Sequence, residues 1–540
     1  MTFPRCCWMK ATTALLSALA FLTFVSSVHA ENDRPNVVFF LVDDLGWRDV
    51  GCFGSTFYET PNIDRLANDG TRFTQAYAAC HVCSPTRASI LTGKYPARLH
   101  LTDWLFGRRD FPFQSLETVK TIQSLPDTEV TLAAALKSSG YSTAIFGKWH
   151  LGDEPNGPRK HGFDVQVPKW NKGWPKAGYH APFQLAGLPG SKGDYLTDRL
   201  TDEALKFIEQ NKNRPFFLYL SHFAVHDPIQ GRSDLVEKYR KKLATISPVD
   251  GPDFILEGNP DDHDPLSQEQ LATLIKKPSH RGHHVLPQRT VKIKQHQDNI
   301  QFAAMVESMD ESLGRVLAKL EVLKLQDNTI VIFFSDNGGM SAANFGNPNR
   351  VVPDNRLDAA YSTSNLPLRG AKGWLYEGGI RVPMIVKWPG HGKRSAVCDE
   401  PVISTDFYPT ILEMAGLPAR PDQHIDGVSL APLLKGQSDI QREAIYWHFP
   451  HYSNHGMQPP SGAVRAGDYK LIEHYENDTV QLFNLNNDLG EQTDLASSES
   501  AKADTLRSML HKWRSEVGAN KNRPNPDYDP GKYPSRSVPR

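Results

Sequence analysis

Four short apolar runs, each stopping at a cluster of polar, ligand-capable residues, restrict this chain more than any other feature. Asn36 to Val42 stops at Asp43-Asp44, and Tyr141 to Phe146 stops at Gly147-Lys148-Trp149-His150. Pro215 to Leu220 leads into Ser221-His222 and then His226-Asp227-Pro228, while Thr329 to Phe334 ends in Ser335-Asp336-Asn337-Gly338-Gly339. Runs of this length read as buried strands, and helical patterns such as Thr131 to Ser138 and Asn299 to Leu323 lie between them. The alternation predicts an α/β unit with a central, mostly parallel sheet between helices. Open α/β sheets bind ligands beyond the carboxyl ends of their strands, so residues far apart in sequence are expected to meet in one pocket.

At 540 residues the chain can bury a large core. Its formal net charge of −1 excludes binding of nucleic acid or a membrane surface through a global field, so any anion site must be assembled from a few placed cations. Arg5 and Lys10, the apolar stretch Ala11 to Val25 and the small-residue site Val28-His29-Ala30 predict a signal peptide over residues 1–30. The expected mature protein is soluble, has no membrane span, and is periplasmic or secreted. Cys52, Cys80, Cys83 and Cys398 then remain, too few for a disulfide scaffold. The Cys80–Cys83 spacing permits a redox pair, and a Cys52–Cys80 bridge stays open.

The α/β unit is expected over 31–441 and a smaller α+β subdomain over 442–518. The subdomain would hold a short antiparallel sheet, including Tyr469 to Ile472 and Val480 to Leu485, and a helix from Ala501 to Val517. Residues 519–540 read as a flexible, Pro-rich tail. The polar stretch Arg232 to Gln297 reads as an insertion over the sheet edge, part of a substrate wall. Its His280, His283 and His284 lack zinc-motif spacing.

Two groups of residues carry chemistry. Asp43, Asp44, Asp336 and Asn337 crowd carboxylates at one sheet edge, where burial is costly without compensation, and a divalent cation on oxygen ligands is the economical answer. Arg87, Lys148, His150, His226 and Lys372 form the cationic set. In extended backbone, Lys148 and His150 would point the same way. Cys83 stands at the mouth of a helix that Ser84 can cap and Pro85 can begin, beside free backbone N–H groups that favour an anion.

The run Cys83-Ser84-Pro85-Thr86-Arg87 followed by Thr92-Gly93 resembles the sulfatase motif C-x-P-S/T-R followed by T-G, with Thr86 where the commonest form has Ser. Gly147-Lys148-Trp149-His150-Leu151-Gly152, the His226-Asp227-Pro228 region and the block from Leu368 to Pro383 are similar to further sulfatase motifs. The resemblance implies an alkaline-phosphatase-like sandwich and oxidation of Cys83 to formylglycine by a formylglycine-generating enzyme. It also implies one divalent ion, usually calcium with magnesium open, held by Asp43, Asp44, Asp336, Asn337 and the modified Cys83. In the implied mechanism a hydrated aldehyde attacks sulfur with help from Asp336. His226 protonates the departing alcohol, Lys148 and Lys372 hold the sulfate, Arg87 steadies the hydrate, and His150 expels sulfate by removing the second hydroxyl proton.

A sulfate monoester carries a single charge, which suits one metal with two lysines and imidazoles; a phosphate monoester would invite more metal charge. The expected activity is removal of sulfate from a sulfated carbohydrate, with aryl sulfates as incidental substrates. Trp104, His448, His451, His455 and the Arg232 to Gln297 insertion are candidate substrate contacts. Two alternatives stand beside this reading: a phosphonate monoester or phosphodiester hydrolase of the same superfamily, and a non-catalytic binder of sulfated glycans.

Overall fold

The computed structural model describes residues 1–2 and 34–532, except 248–249, 263, 278–289, 345–352, 438–439 and 456–457. The signal-peptide reading, the three histidines at 280, 283 and 284, and the last eight residues of the tail lie outside the described residues.

The expected sheet is present with eight strands. From one edge they run Ala396–Cys398, Thr71–Phe73, Met384–Lys387, Thr329–Ser335, Asn36–Val42, Phe216–Ser221, Ser142–Gly147 and Val165–Val167. The last five strands in that order are mutually parallel, whereas Met384–Lys387 pairs antiparallel on both sides. Asn36–Val42 lies inside the parallel part, so both of its faces are covered. Val38, Phe40 and Val42 pack with Ile63, Leu200 and Phe302 from helices Pro61–Asp69, Leu196–Gln210 and Ile300–Val322. Val37, Phe39 and Leu41 turn the other way, into a cluster with Ile90, Leu136 and Ile411 of helices Cys83–Thr92, Leu132–Ser138 and Phe407–Met414. Side chains alternate across a strand, so a strand buried on both faces must be apolar throughout. Truncating one such core Phe to Ala costs about 3–5 kcal/mol.

The C-terminal part is a four-stranded antiparallel sheet of Ile445–Phe449, Ser461–Ala466, Tyr469–His474 and Thr479–Asn484, in that order, packed by helix Ser500–Glu516. A buried ion network ties it to the main unit: Lys470 Nζ lies 3.0 Å from Glu377 and 2.9 Å from Glu491.

Two expectations change. The described part of Arg232 to Gln297 is more regular than its composition suggests, with helices Ser233–Thr245 and Gln268–Leu274 and the hairpin pair Phe254–Glu257 and Val291–Lys294. Residues 519–532 are not loose. Arg523–Pro524 pairs with Leu116–Glu117, and the Asn525 and Asp529 N–H groups donate to the Ser115 and Pro112 carbonyls at 2.9 and 2.7 Å. These backbone bonds do not depend on side-chain hydrophobicity, which is why composition alone missed them. Cys52, Cys80, Cys83 and Cys398 are all free thiols, so neither the redox pair nor the Cys52–Cys80 bridge forms. No described helix is long and apolar enough to cross a membrane.

Candidate active site

Strand register pairs Val42 with Ser335, Leu41 with Ser221 and Ser221 with Gly147, so the four strands end within one residue of one another and the residues that follow emerge side by side. Lys148 Nζ donates to Asp43 Oδ2 at 2.6 Å. Lys372 Nζ lies 2.7 and 2.8 Å from the two Asp44 oxygens. Arg87 Nε donates to Asp336 Oδ2 at 2.8 Å and its Nη2 lies 2.7 Å from the same oxygen as an ion pair, while its Nη1 donates to Ser221 Oγ at 2.6 Å and the Lys148 carbonyl at 3.1 Å. Asn337 Nδ2 donates to Asp44 Oδ1 at 2.8 Å, and the Asp44 N–H reaches Asp336 Oδ1 at 3.2 Å. Every one of these side chains is buried.

Local backbone makes the convergence. Gly147 has φ 109°, and a Cβ there would meet the Ser221 carbonyl at 1.9 Å, so only glycine lets the strand end turn. His150 is left-handed, with φ 57°, as is Asp44, with φ 62°. Ordinary side chains avoid this region and functional sites retain it. Lys148 reaches Asp43 and His150 reaches Cys83.

The Cys83–Thr92 helix starts at Cys83 itself, and Ser84 is not its cap. Thr86 Oγ1 donates to the Cys80 carbonyl at 2.9 Å and accepts the Cys80 N–H at 3.2 Å, folding the entering chain back one residue earlier. Ser84 Oγ instead accepts the Leu105 N–H at 3.2 Å. Leu105 also settles the state of the base. Its carbonyl lies 2.7 Å from His150 Nε2, and a carbonyl only accepts, so Nε2 carries the hydrogen. His150 Nδ1 is left as an acceptor, 3.2 Å from Cys83 Sγ. Burial and the Lys148 ammonium hold this imidazole well below its ordinary pKa, keeping it neutral.

His226 is the counterpart. Burial and Lys372 push its pKa down, but Asp44, Asp43 and Asp227 outweigh them and raise it to about 9. Its Nδ1 lies 2.8 Å from Asp227 Oδ1, leaving Nε2 facing Asp44 at 3.8 Å. One imidazole is thus held neutral and the other protonated in a single pocket, a separation suited to acid–base chemistry.

The carboxylates show where positive charge is missing. Burial and Asp336 raise the Asp43 pKa to about 8 despite Lys148. Asp43 Oδ1 and Asn337 Oδ1 are buried without hydrogen-bond partners. One ligand atom each from Asp43, Asp44 and His226 lie within 4.8 Å of one another. Unpaired hard oxygens beside a carboxylate pair fit a calcium- or magnesium-type ion. His226, placed among the acids and bases by sequence, thus also borders the candidate ion position.

A cavity of about 340 Å³ opens over Cys83, His150, His226 and Lys372. Of the expected substrate contacts, Trp104 and His455 line it; His448 and His451 do not. His448 is bonded to the Tyr475 hydroxyl at 2.9 Å and the Asn520 carbonyl at 2.8 Å, and His451 to Thr102 Oγ1 at 2.8 Å. No described residue of the Arg232 to Gln297 insertion reaches the cavity either, because its hairpin packs away from it against Trp374 and Tyr361. Gly173, Trp174 and Asn454 do reach it and went unnoticed in the sequence. Trp174 sits in a segment rich in Trp and Lys, Lys169 to Lys176, which was the available signal.

Fold and cluster together define a hydrolase of the alkaline-phosphatase-like class. Residues 35–417 match the sulfatase family, and residues 371–517 match the C-terminal region of N-sulphoglucosamine sulphohydrolase. A Formosa agariphila protein named sulfatase is 30% identical over 547 residues, spanning 87% of this chain and 86% of that one. N-acetylgalactosamine-6-sulfatase of Mus musculus is 32% identical over 463 residues, spanning 81% and 74%. A crystal structure of Ps i-CgsB in complex with k-i-k-neocarrahexaose superposes with a TM-score of 0.65 at 26% identity, covering 89% of this chain and 93% of that one. The chain belongs to the sulfatase family and is an enzyme that hydrolyses sulfate esters.

Proposed function

We propose that this sulfatase removes sulfate from an exported sulfated carbohydrate, using formylglycine made from Cys83 and one divalent cation, calcium in our reading. The observation that carries this is the placement of Cys83 Sγ 3.2 Å from a neutral His150, at the floor of a cavity that also holds Lys372 and His226. Export is supported by the basic, apolar and small-residue pattern of residues 1–30. The carbohydrate reading is supported by relatives named for N-acetylgalactosamine-6-sulfate and for a carrageenan-type hexaose complex.

Formylglycine at position 83 would supply the attacking oxygen, and a cation held by Asp43, Asp44, Asp336 and Asn337 would supply positive charge beside it. The chain's own side chains do the rest. Arg87 fixes Asp336 through one hydrogen bond and an ion pair to the same oxygen. Lys148 and Lys372 orient Asp43 and Asp44 and present ammonium groups to the oxygens of the transferring sulfuryl group. His226 carries the proton that the leaving alcohol needs, and His150 Nδ1 accepts the proton whose loss releases sulfate. Three carboxylates and Asp227 face three fixed cations and the His226 imidazolium, so a divalent ion leaves the site net positive toward a monoanionic ester.

Cys83→Ser, produced in an aerobic host, is expected to abolish turnover of an aryl sulfate, and the mass of the wild-type Cys83 peptide is expected to show the aldehyde. Substantial activity in the variant, or an unmodified thiol in fully active wild-type enzyme, overturns the scheme.

A further inference from the structure

Two loops that contribute to the cavity wall also carry cations and aromatic rings. Residues 104–113 and 169–176 together hold Arg108, Arg109, Lys169, Lys172 and Lys176 against a single carboxylate, Asp110, in a chain whose formal charge is −1. Phe106 and Trp174 in the same loops are 51% and 43% exposed. The loops meet where Lys172 Nζ lies 4.0 Å from the Phe106 ring centroid. The Arg108 and Arg109 guanidinium groups lie 4.8 and 5.1 Å from the centre of Phe111, and Lys176 Nζ lies 6.0 Å from that of Trp170.

Both loops also belong to the catalytic cavity. Trp104, Gly173 and Trp174 line it, and the Leu105 carbonyl fixes His150. Trp170 Nε1 donates to the Trp174 carbonyl at 2.7 Å, tying the outer ring to the inner one. Lys172 has a carboxylate partner in Asp153, but among the described residues Arg109, Lys169 and Lys176 are exposed and form no ion pair. Single exposed aromatic residues are ordinary; exposed rings interleaved with unneutralised cations, continuous with a catalytic pocket, form a surface complementary to something anionic and ring-shaped.

We propose that this rim binds the sugar units adjoining the sulfated one and that those units are themselves negatively charged. The substrate is then a polyanionic oligosaccharide or polysaccharide, not a singly sulfated small molecule. The C–H faces of its rings lie on Phe106 and Trp174, and its further sulfate or carboxylate groups meet Arg109, Lys169 and Lys176. This rests on the carbohydrate-sulfatase reading and specifies its substrate class.

The test is the triple variant R109A/K169A/K176A, whose changes lie on exposed side chains. Two kcat/KM values are measured over a range of NaCl concentrations, one for 4-nitrophenyl sulfate and one for a panel of sulfated hexasaccharides from heparin and carrageenan. The ratio of hexasaccharide to aryl sulfate kcat/KM is expected to fall about tenfold or more at low salt. The slope of log KM against log salt is expected to flatten by roughly 2, as lost cation contacts release fewer counterions. An unchanged ratio and slope across the panel overturn the proposal. Binding gives a readout without turnover: calorimetric titration with low-mass dextran sulfate, against neutral dextran, should show wild-type affinity lowered about tenfold in the variant. Equal binding by both proteins refutes the rim. If wild-type enzyme cleaves the aryl sulfate but no hexasaccharide, the carbohydrate reading fails, and the dextran sulfate titration still decides the rim.

Discussion

Replacing Lys372 with methionine keeps the unbranched stem and removes only the ammonium group, which isolates what the charge does. Lys372 Nζ touches both oxygens of buried Asp44, at 2.7 and 2.8 Å, and faces the cavity above Cys83. At an effective dielectric near 20, opposite charges about 4 Å apart attract by about 4 kcal/mol, which bounds the coupling to Asp44. Breaking a buried pair by removing one partner typically costs about 3–5 kcal/mol, because the remaining charge is stranded. Asp44 keeps Asn337 as a donor, so the lower end of that range is expected. The ammonium is also expected to bond the sulfuryl oxygens, and losing one charge-assisted hydrogen bond of about 2–3 kcal/mol slows turnover by roughly 30- to 150-fold. The two effects separate in a double-mutant cycle. Asp44→Asn removes the stranded charge, so K372M/D44N should recover about 2 kcal/mol of the stability lost in K372M while activity stays low. Chemical denaturation of the metal-free protein and aryl sulfate turnover of the metal-loaded enzyme, on protein whose Cys83 conversion is checked by mass, supply both readouts. A K372M enzyme within threefold of wild-type kcat/KM, or a coupling energy below about 0.5 kcal/mol, would refute the argument.

Five buried histidines predict loss of stability in mild acid. Burial lowers His81, His222, His448 and His451 to about 3 and His474 to about 4. The unfolded chain, with ordinary histidines near 6.5, therefore binds more protons on acidification. Stability is intact above about pH 6.5 and declines as pH falls toward 4, by up to about 1.4 kcal/mol per histidine per unit, or at most about 7 kcal/mol at pH 5.5. Urea unfolding between pH 8 and 5 should show that slope, and a flat profile would contradict it. Gly173→Ala targets His150: a Cβ there would lie 2.4 Å from the His150 Cε1. The ring must move off its line to Cys83, so kcat on an aryl sulfate is expected to drop about tenfold to a hundredfold with an unchanged circular dichroism spectrum. A kcat within a factor of two would show that the loop yields instead.

The sheet was legible because burial on both faces leaves an unmistakable mark. Within Asn36–Val42 and Thr329–Ser335 the positions 37–42 and 330–334 are apolar without a break, and the polar residues after them can only be at the edge. That logic located Asp43, Asp44, Asp336 and Asn337 without any coordinates. It failed where position depends on backbone hydrogen bonds or turn geometry. The pairing of Arg523–Pro524 with Leu116–Glu117 uses main-chain groups that every residue has, so composition carries no trace of it. The left-handed backbone at His150 is turn geometry that strand alternation does not foresee.

The aromatic and histidine residues show the same divide. His448 and His451 are candidate substrate contacts by sequence, yet they bond Tyr475, Asn520 and Thr102 instead. The less conspicuous Trp174 faces the cavity. Composition records which residues could bind a ring, whereas exposure decides which of them still have a face to offer. Buried histidines serve the fold and make it acid-sensitive. An exposed tryptophan beside unpaired cations is free to serve a ligand, so the rim, rather than the C-terminal strand, is where substrate specificity should respond to mutation.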